Sequence, residues 1–313
     1  MPVNGVFYSQ TKGLVISTNS LNRVFVQTGG TTTFTGITSG NTIVEVQGVS
    51  GQVMRVTDCA NGVLFSSNNI SGQAILQTNS CGSIIGGIGS SSTANATTIG
   101  GGRSNSTTAN FATVGGGCSN STTGNYATIG GGYNNISSGY FATIGGGRCN
   151  TSSLTSSTVG GGGNNISSNC YSTIGGGFNS TSSGPCSTIG GGASNTASYI
   201  GSTVGGGRNN IASSLDSTVG GGLSNYSSGA HSTIGGGYDN TSSGYGSTIG
   251  GGCCNTSSWG NSTVGGGRQN TSSCYASTIG GGQFNTSCGC LSTVGGGYCN
   301  VASGNDSTIG GGR

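Results

Sequence analysis

One histidine and one acid are the first residues in this chain that could do chemistry. His231 is the single histidine among 313 residues, and Asp216 precedes it by 15 residues. An imidazole beside a carboxylate can form the base and its orienting group in a nucleophilic triad if a serine lies close by. No serine sits in a nucleophile-elbow pattern. We therefore interpret His231 and Asp216 as a surface pair and predict that the protein is not an enzyme.

Twelve cysteines are the second set of reactive residues. None is spaced as C-x-x-C, so we predict no zinc site, no other metal site and no cofactor. Some cysteines lie close to 15 residues apart and could form disulfides within or between chains. Free thiols in a reducing compartment are the alternative. The pairs in question are Cys170 with Cys186, and Cys274 with either Cys288 or Cys290.

A repeat of 15 residues organises the chain from residue 97 onward. Ile or Val returns fifteen times at this interval, always preceded by Thr and always followed by a glycine triplet. Asn is the third residue after the triplet in thirteen of fourteen repeats, with Ser180 as the exception. Glycine-rich sequence without a period indicates disorder, whereas a strict period indicates stacked turns.

Each repeat predicts one turn, or rung, of an all-β parallel β-roll or β-solenoid rod. The S-T-I/V segment is typical of a short strand with Ser and Ile/Val inward and Thr outward. A second strand is expected from the Asn onward, and the glycine triplet is expected to need backbone dihedrals closed to other residues. The predicted core is a single file of aliphatic side chains: Ile99, Val114, Ile129, Ile144, Val159, Ile174, Ile189, Val204, Val219, Ile234, Ile249, Val264, Ile279, Val294 and Ile309.

The first ninety residues lack the period. Short β-prone segments separated by Gly, Asn and Ser indicate a small irregular β domain there. We therefore divide the chain into an N-terminal β-rich attachment or assembly region, residues 1–90, and a fifteen-rung glycine-rich solenoid shaft, residues 91–313.

The composition excludes several classes of partner. Charged residues are 4% of the chain, and the net charge of +3 is spread without a basic patch, so nucleic-acid binding is not expected. No stretch approaches the ~18 apolar residues of a membrane-spanning helix, so membrane insertion is not expected. The first residues show no signal-peptide pattern.

The asparagine of the repeat opens an Asn-x-Ser/Thr sequon in ten of fourteen rungs. N-glycosylation is one interpretation. The alternative, which we favour, is a ladder of asparagines whose side chains bond to turn backbone.

Variable positions beside the constant ones are the candidate contact surface. Binding residues concentrate at such corners of a repeat scaffold, and aromatic and arginine side chains suit contacts with glycans or proteins. Packing against an adjacent chain is the alternative role. The candidates are Arg103, Tyr133, Arg148, Phe178, Arg208, Tyr238, Trp259, Arg268 and Tyr298.

Assembly is expected from the thin apolar core. Ordering the backbone costs ~1–2 kcal/mol per residue, whereas burying one Ile or Val contributes only ~1.5–3 kcal/mol. A second buried seam, supplied by copies of the same chain, would help to stabilise the rung. We therefore expect a homotrimer.

The repeat S-T-I-G-G-G-x-x-N-T-S-S-G, as in Ser247–Gly260 and Ser277–Gly289, resembles the head repeats of trimeric autotransporter adhesins of the YadA-like type. Similar repeats are familiar from phage and virus fibres, and Val46–Asp58 with Gly62–Gly72 resembles a tail-fibre segment. The resemblance implies a trimeric β-roll and attachment to a receptor. The signal peptide, coiled-coil stalk and membrane anchor of the autotransporters have no counterpart in this sequence.

These features together predict a structural protein. We expect a fibre shaft on the surface of a phage or virus particle, mounted on the larger particle by the N-terminal region and attached to a host-surface glycan or protein. One alternative is a fragment of a bacterial cell-surface adhesin, extracellular in location. Another is an ice-binding or surface-binding solenoid, suggested by the unbroken threonine column, although ice binders usually carry two such columns.

Overall fold

The computed structural model describes the backbone of a large part of the chain, in two compact units at residues 1–119 and 120–313. Side chains are described for Met54, for 65–69 and for 73–313. The predicted N-terminal region therefore lies mostly outside the described side chains. The backbone is described for 5–9, 13–18, 21–25, 42–48, 51–57, 63–69 and 73–313.

Antiparallel strands form the first part of the first unit. One sheet contains β1 (Gly5–Ser9), β2 (Gly13–Thr18) and β3 (Leu21–Phe25). A second run of antiparallel pairs joins five strands in sequence: β4 (Thr42–Gly48), β5 (Gly51–Thr57), β6 (Val63–Asn68), β7 (Ala74–Asn79) and β8 (Ile84–Gly86).

The first unit changes from antiparallel to parallel pairing at β8. Four short strands follow: β9 (Ser91–Ser92), β10 (Thr98–Ile99), β11 (Ser106–Thr107) and β12 (Thr113–Val114). β8 pairs in parallel with β10, which pairs with β12, and β9 pairs with β11. Parallel stacking thus begins at Ile84, seven residues before the predicted start of the shaft at residue 91.

The second unit is a parallel β-solenoid in which each turn contains two short strands. The fold class predicted from the 15-residue period is confirmed. The first side of the turns contains Thr128–Ile129, Thr143–Ile144, Thr158–Val159, Thr173–Ile174, Thr188–Ile189, Thr203–Val204, Thr218–Val219, Thr233–Ile234, Thr248–Ile249, Thr263–Val264, Thr278–Ile279, Thr293–Val294 and Thr308–Ile309. The second side contains Ser121–Thr122, Ile136–Ser137, Thr151–Ser152, Ile166–Ser167, Thr181–Ser182, Thr196–Ala197, Ile211–Ala212, Tyr226–Ser227, Thr241–Ser242, Thr256–Ser257, Thr271–Ser272, Thr286–Ser287 and Val301–Ala302.

Successive rungs of the second unit stack in strict 15-residue register. Thr143 pairs with Thr158 on the first side, and Thr151 pairs with Ile166 on the second. Isolated parallel bridges form a third line at the residue after each glycine triplet, as between Tyr133 and Arg148. Equivalent residues therefore form columns with ~4.8 Å between rungs.

Four residues of each turn point into the interior. In one turn these are Ser232, Ile234, Asn240 and Ser242, all with 0% exposure. The Ile/Val file is buried in the same way from residue 99 to residue 294, whereas Ile309 in the last turn is only partly buried. The interior therefore contains the inward serine and Ile/Val that the sequence predicted and, in addition, the Asn and Ser of the second side.

Paired serine hydroxyls occupy much of this interior. The buried serine of the second-side strand lies 2.6–2.7 Å, Oγ to Oγ, from the serine five residues later, as in Ser152–Ser157 and Ser242–Ser247. Opposite Ala112 the hydroxyl of Thr107 has no hydrogen-bond partner within the described residues, whereas opposite Ala142 the hydroxyl of Ser137 donates to the alanine carbonyl at 3.0 Å. Buried hydroxyls are costly unless paired, so the pairing lets a small polar core exist.

The three glycines of the triplet face different constraints. At Gly205 an added Cβ would overlap the carbonyl oxygen of Gly220. Gly207 has a left-handed φ of +82°, and its Cβ would overlap the carbonyl oxygen of Gly222. Gly206 has no atom within 4 Å of its Cβ position and does not have a left-handed φ. The expectation that the whole triplet needs unusual dihedrals is therefore wrong, because only the third glycine does.

Candidate binding columns on the solenoid surface

The buried asparagine fixes the glycine corner of each turn. Nδ2 of Asn150 donates to the carbonyl of Gly146 at 2.9 Å and to that of Gly162, in the next rung, at 3.0 Å. Its Oδ1 accepts the backbone N–H of Asn165 at 2.9 Å. Glycosylation would attach a sugar to this same buried Nδ2, so the geometry favours the asparagine ladder over glycosylation.

The residue after each triplet forms what we call the Arg/aromatic column. In the second unit its backbone is held on both sides: the N–H of Arg148 donates to Gly162 at 2.8 Å, and its carbonyl accepts the N–H of Asn164 at 2.9 Å. The side chain points outward. Eight of the nine predicted surface residues occupy this position, and all of them are exposed: Arg103, Tyr133, Arg148, Phe178, Arg208, Tyr238, Arg268 and Tyr298.

Trp259, the ninth predicted surface residue, lies on a different corner of the turn and is 59% exposed. Two residues after Trp259, at Asn261, lies the position three residues before each Ile/Val, and this position has a left-handed backbone even where its residue is bulky. Tyr171 has φ +57°, His231 has φ +56° and Leu291 has φ +58°. A second left-handed residue precedes each buried asparagine, as at Asn164 with φ +56°. No residue type is characteristic of these corners, so the sequence analysis did not predict their left-handed backbone.

Aromatic side chains contact one another along these corners. In the second unit Tyr126, Tyr140 and Phe141 form a cluster with ring centroids 4.3–5.5 Å apart. Phe284 and Tyr298 meet edge to face at 5.6 Å. Such pairs stabilise by ~0.5–1.5 kcal/mol beyond their buried area, so adjacent rungs are also held together from outside.

His231 and Asp216 meet as the sequence suggested. Nδ1 of His231 lies 3.6 Å from Oδ2 of Asp216, and the two side chains are 43% and 54% exposed. The ring of Tyr245 packs edge to face against His231 at 5.3 Å. The pair therefore lies on an open corner, where water competes for both groups and the ion pair contributes ~0–1 kcal/mol.

The cysteines adopt one of the predicted pairings. Cys274 is disulfide-bonded to Cys290, with 4.9 Å between the Cα atoms. Cys288, Cys170 and Cys186 are free thiols. Sγ of Cys253 lies 3.1 Å from Sγ of its neighbour Cys254, and this hydrogen bond raises the pKa of Cys254 to about 11. That thiol is protonated at neutral pH and therefore a weak nucleophile.

The threonine before each Ile/Val forms a second outward column. Thr158 and Thr173 pair in parallel register and are partly exposed, whereas Thr188 and Thr233 are exposed. The residue two positions before each threonine varies, as at Tyr171 and His231, and the residue two positions after it is the first glycine. One threonine column therefore stands alone on this side.

Comparison with known proteins adds no relative: no protein-family model matches the chain, and no curated protein matches it. Within the described residues, no three His, Cys, Asp or Glu side chains lie together in a way that could hold a metal ion. A helix that could span a membrane does not occur in the described part of the chain.

Proposed function

We propose that this chain is the shaft of a structural fibre on a phage or virus particle, and that it attaches to a host surface through its exposed columns. The observation that carries the proposal is the contrast between constant interior positions and variable outward positions within each turn. Interior residues such as Ile234 and Asn240 are buried and nearly constant between rungs. The outward corners vary from Gly to Arg to Trp without altering the turn. A constant scaffold with variable corners is typical of repeat proteins that bind at their surface.

The exposed side chains are of the kinds that make contacts. Tyr and Trp supply rigid apolar area with a polar tip, and Arg supplies bidentate donors. Phe178 is 51% exposed and Tyr238 is 49% exposed. A host-surface glycan or protein is therefore the proposed external partner.

The homotrimer remains part of the proposal, and the middle glycine supports it. All fifteen triplets have glycine at this place, yet Gly161, Gly206 and Gly281 have open space around the Cβ position. Among the residues that the structure describes, no contact accounts for the absence of a side chain there. Close approach of another copy along this column accounts for it, because only glycine lets two backbones come near.

The assembly is tested by multi-angle light scattering of the purified full chain in non-denaturing buffer. The expected mass is about three times the 30.1 kDa of one chain. A mass of one chain at every concentration would refute the trimer and leave the attachment proposal to its own test.

Location and polarity are tested by immunogold electron microscopy with two antibodies. One antibody recognises the N-terminal region, residues 1–90, and the other recognises the repeats. We expect both on virus or phage particles, with the N-terminal label nearer the particle body. Labelling of bacterial cells without particles would favour the cell-surface adhesin instead, and label on neither would refute both.

Ice binding is a second candidate because the threonine column is regular and outward-facing. Thermal hysteresis of the full chain decides it, with Thr203→Val/Thr218→Val/Thr233→Val as the variant. Hysteresis that falls in the variant would favour ice binding. We expect none from either protein, since a single column offers half of the usual two-column pattern.

A further inference from the structure

Between Arg148 and Tyr298 the Arg/aromatic column alternates between large and small side chains, whereas Tyr133 and Arg313, on the rungs just outside this stretch, follow no such alternation. Every second rung carries an arginine or an aromatic residue, and these two kinds take turns along the column: Arg148, Phe178, Arg208, Tyr238, Arg268 and Tyr298. The rungs between them carry smaller or uncharged residues: Gly163, Ala193, Leu223, Cys253 and Gln283. The first set is exposed throughout, and the second set is partly buried throughout.

The alternation leaves room for the large side chains beside the neighbouring rung. A Cβ at Gly163 would lie 3.4 Å from Cδ2 of Phe178, so this ring lies against the backbone of the preceding rung. The backbone beneath is fixed, since the N–H groups of Arg208 and Tyr238 both donate to glycine carbonyls at 2.9 Å. The column therefore holds its large side chains at set intervals on a rigid support.

The arginines between residues 148 and 298 form no ion pair within the part of the chain that the structure describes. The His231–Asp216 contact is the single ion pair among the described residues, and it involves no arginine. Asp239, next to Tyr238 in sequence, is the carboxylate nearest the column along the chain. Unpaired guanidinium groups on a rigid support are suited to bidentate recognition of an external carboxylate, sulfate or phosphate.

The spacing selects among anionic ligands. Successive large side chains are two rungs apart, roughly 10 Å, and successive arginines are four rungs apart, roughly 19 Å. Side chains on one face of a bound peptide strand would repeat at only ~7 Å, and duplex DNA carries one charge per ~1.7 Å. An extended disaccharide unit of a linear polysaccharide, by contrast, has a repeat close to the two-rung distance.

We propose that the Arg/aromatic column from Arg148 to Tyr298 binds a linear acidic polysaccharide that lies along the stack. Arginine side chains bind carboxylate or sulfate groups, and Phe178, Tyr238 and Tyr298 pack against the apolar faces of the sugar rings between them. This inference rests on the proposed attachment function and specifies the ligand for it.

The test measures affinity of the full chain for heparin fragments and hyaluronan fragments of increasing length, by calorimetry. Heparin carries sulfates and hyaluronan carries only carboxylates, so the two probes separate the anion classes. R148Q/R208Q/R268Q removes the arginines. R208L/L223R/R268Q/Q283R moves two arginines by one rung and preserves the composition and net charge. Circular dichroism checks that each variant folds.

We expect wild-type affinity to rise with fragment length until a fragment spans two arginines. R148Q/R208Q/R268Q should bind about tenfold more weakly or worse, and the shifted variant about fivefold more weakly. D239N should bind somewhat more tightly, because it removes the neighbouring negative charge.

Three results would overturn the proposal: equal binding by the shifted variant, equally tight binding of single-stranded DNA, or no binding of either polysaccharide. In the last case, attachment of the full chain to host cells would still be measured. If R148Q/R208Q/R268Q still attaches to host cells, an acidic polysaccharide is excluded as the ligand of this column. The proposed attachment function would then stand.

Discussion

The third glycine of each triplet and the left-handed corners of the same turn both have a positive φ. They differ in the residue types that they accept. Gly147 and Gly177, at the third triplet position, have φ of +94° and +97°. Tyr171 and Leu291, on the left-handed corner before the Ile/Val strand, have φ of +57° and +58°. The triplet position is glycine in all fifteen rungs, whereas the other corner accepts aromatic, aliphatic and charged residues.

Two physical differences explain this contrast. A φ near +57° lies in the left-handed well, which costs an L-residue ~1–2 kcal/mol, whereas values near +95° fall outside that well. In addition, a side chain at Gly177 would overlap the carbonyl oxygen of Gly192, while the side chain of Tyr171 points to solvent. Close backbone approach, more than the sign of φ, therefore makes glycine obligatory.

The largest expected effect comes from Gly207→Ala. Its Cβ would overlap the carbonyl oxygen of Gly222 and lie 2.7 Å from Nδ2 of Asn210, at φ +82°. We expect a loss of at least about 3 kcal/mol in local opening free energy, measured by hydrogen exchange of the flanking rungs. The matched control is Asn209→Ala, at φ +57°, with a loss below about 1 kcal/mol. Equal losses would contradict the comparison.

A gain is expected from Ser180→Asn. Ser180 stands in the asparagine column, and its hydroxyl accepts only the N–H of Asn195, at 3.2 Å, and donates weakly to Phe178. By analogy with Asn165 and Asn195, an asparagine there would donate to one glycine carbonyl in its own turn and to one in the next turn. We expect about 1–2 kcal/mol of added stability, read from the unfolding midpoint. Asn165→Ser is the reverse control and should lose a similar amount; no change in either would show that the ladder is not stabilising.

A smaller gain is expected from Leu291→Gly. Glycine relieves the left-handed strain of ~1–2 kcal/mol but adds ~0.5–1 kcal/mol of unfolded-state entropy, so the net gain is below about 1 kcal/mol. Gly201 and Gly246 already occupy this corner in other rungs. Leu291→Ala is the control, because alanine removes the exposed leucine side chain but keeps the left-handed backbone strain. A gain from alanine as large as that from glycine would assign the effect to the exposed leucine instead.

The smallest effect on the turn is expected from Gly206→Ala. Open space surrounds its Cβ position, so the opening free energy of the turn should change by less than about 0.5 kcal/mol. The same variant should lower the assembled mass in light scattering, because the proposed partner approaches at this column. A destabilised turn with unchanged mass would reverse the roles that we assign to the middle and third glycines.

The period alone was enough to predict the solenoid, its strands and the inward Ile/Val file, because each of these depends on residue type at a fixed interval. It did not distinguish the open position of Gly206 from the crowded position of Gly207, because the sequence does not show which glycine of a triplet approaches the neighbouring rung. It also missed the left-handed corner at His231 or Phe141, because only glycine and asparagine signal such a backbone in sequence. The serine pairs needed three-dimensional placement of residues five apart.

The candidate columns could also be predicted in part from the sequence. The exposure of Arg148 and Tyr238 followed from their position after the triplet, which varies while its surroundings do not. Their alternation with Gly163 and Leu223 was present in the sequence and becomes visible only when residues 15 apart are read as neighbours. The disulfide between Cys274 and Cys290 needed the structure, because Cys288 lies equally close to one 15-residue repeat from Cys274.

Nearest-neighbour stacking also has a consequence for how such a gene can change in length. Each turn bonds only to the turns beside it, so recombination between repeats could add or delete whole turns without disturbing any hydrogen bond. A single added turn would shift all later members of the Arg/aromatic column by one place, whereas four added turns would restore the order of Arg148 and Arg208. Selection for binding along the column should therefore leave natural length variants that differ by blocks of four turns, while selection for mechanical reach alone would leave steps of one.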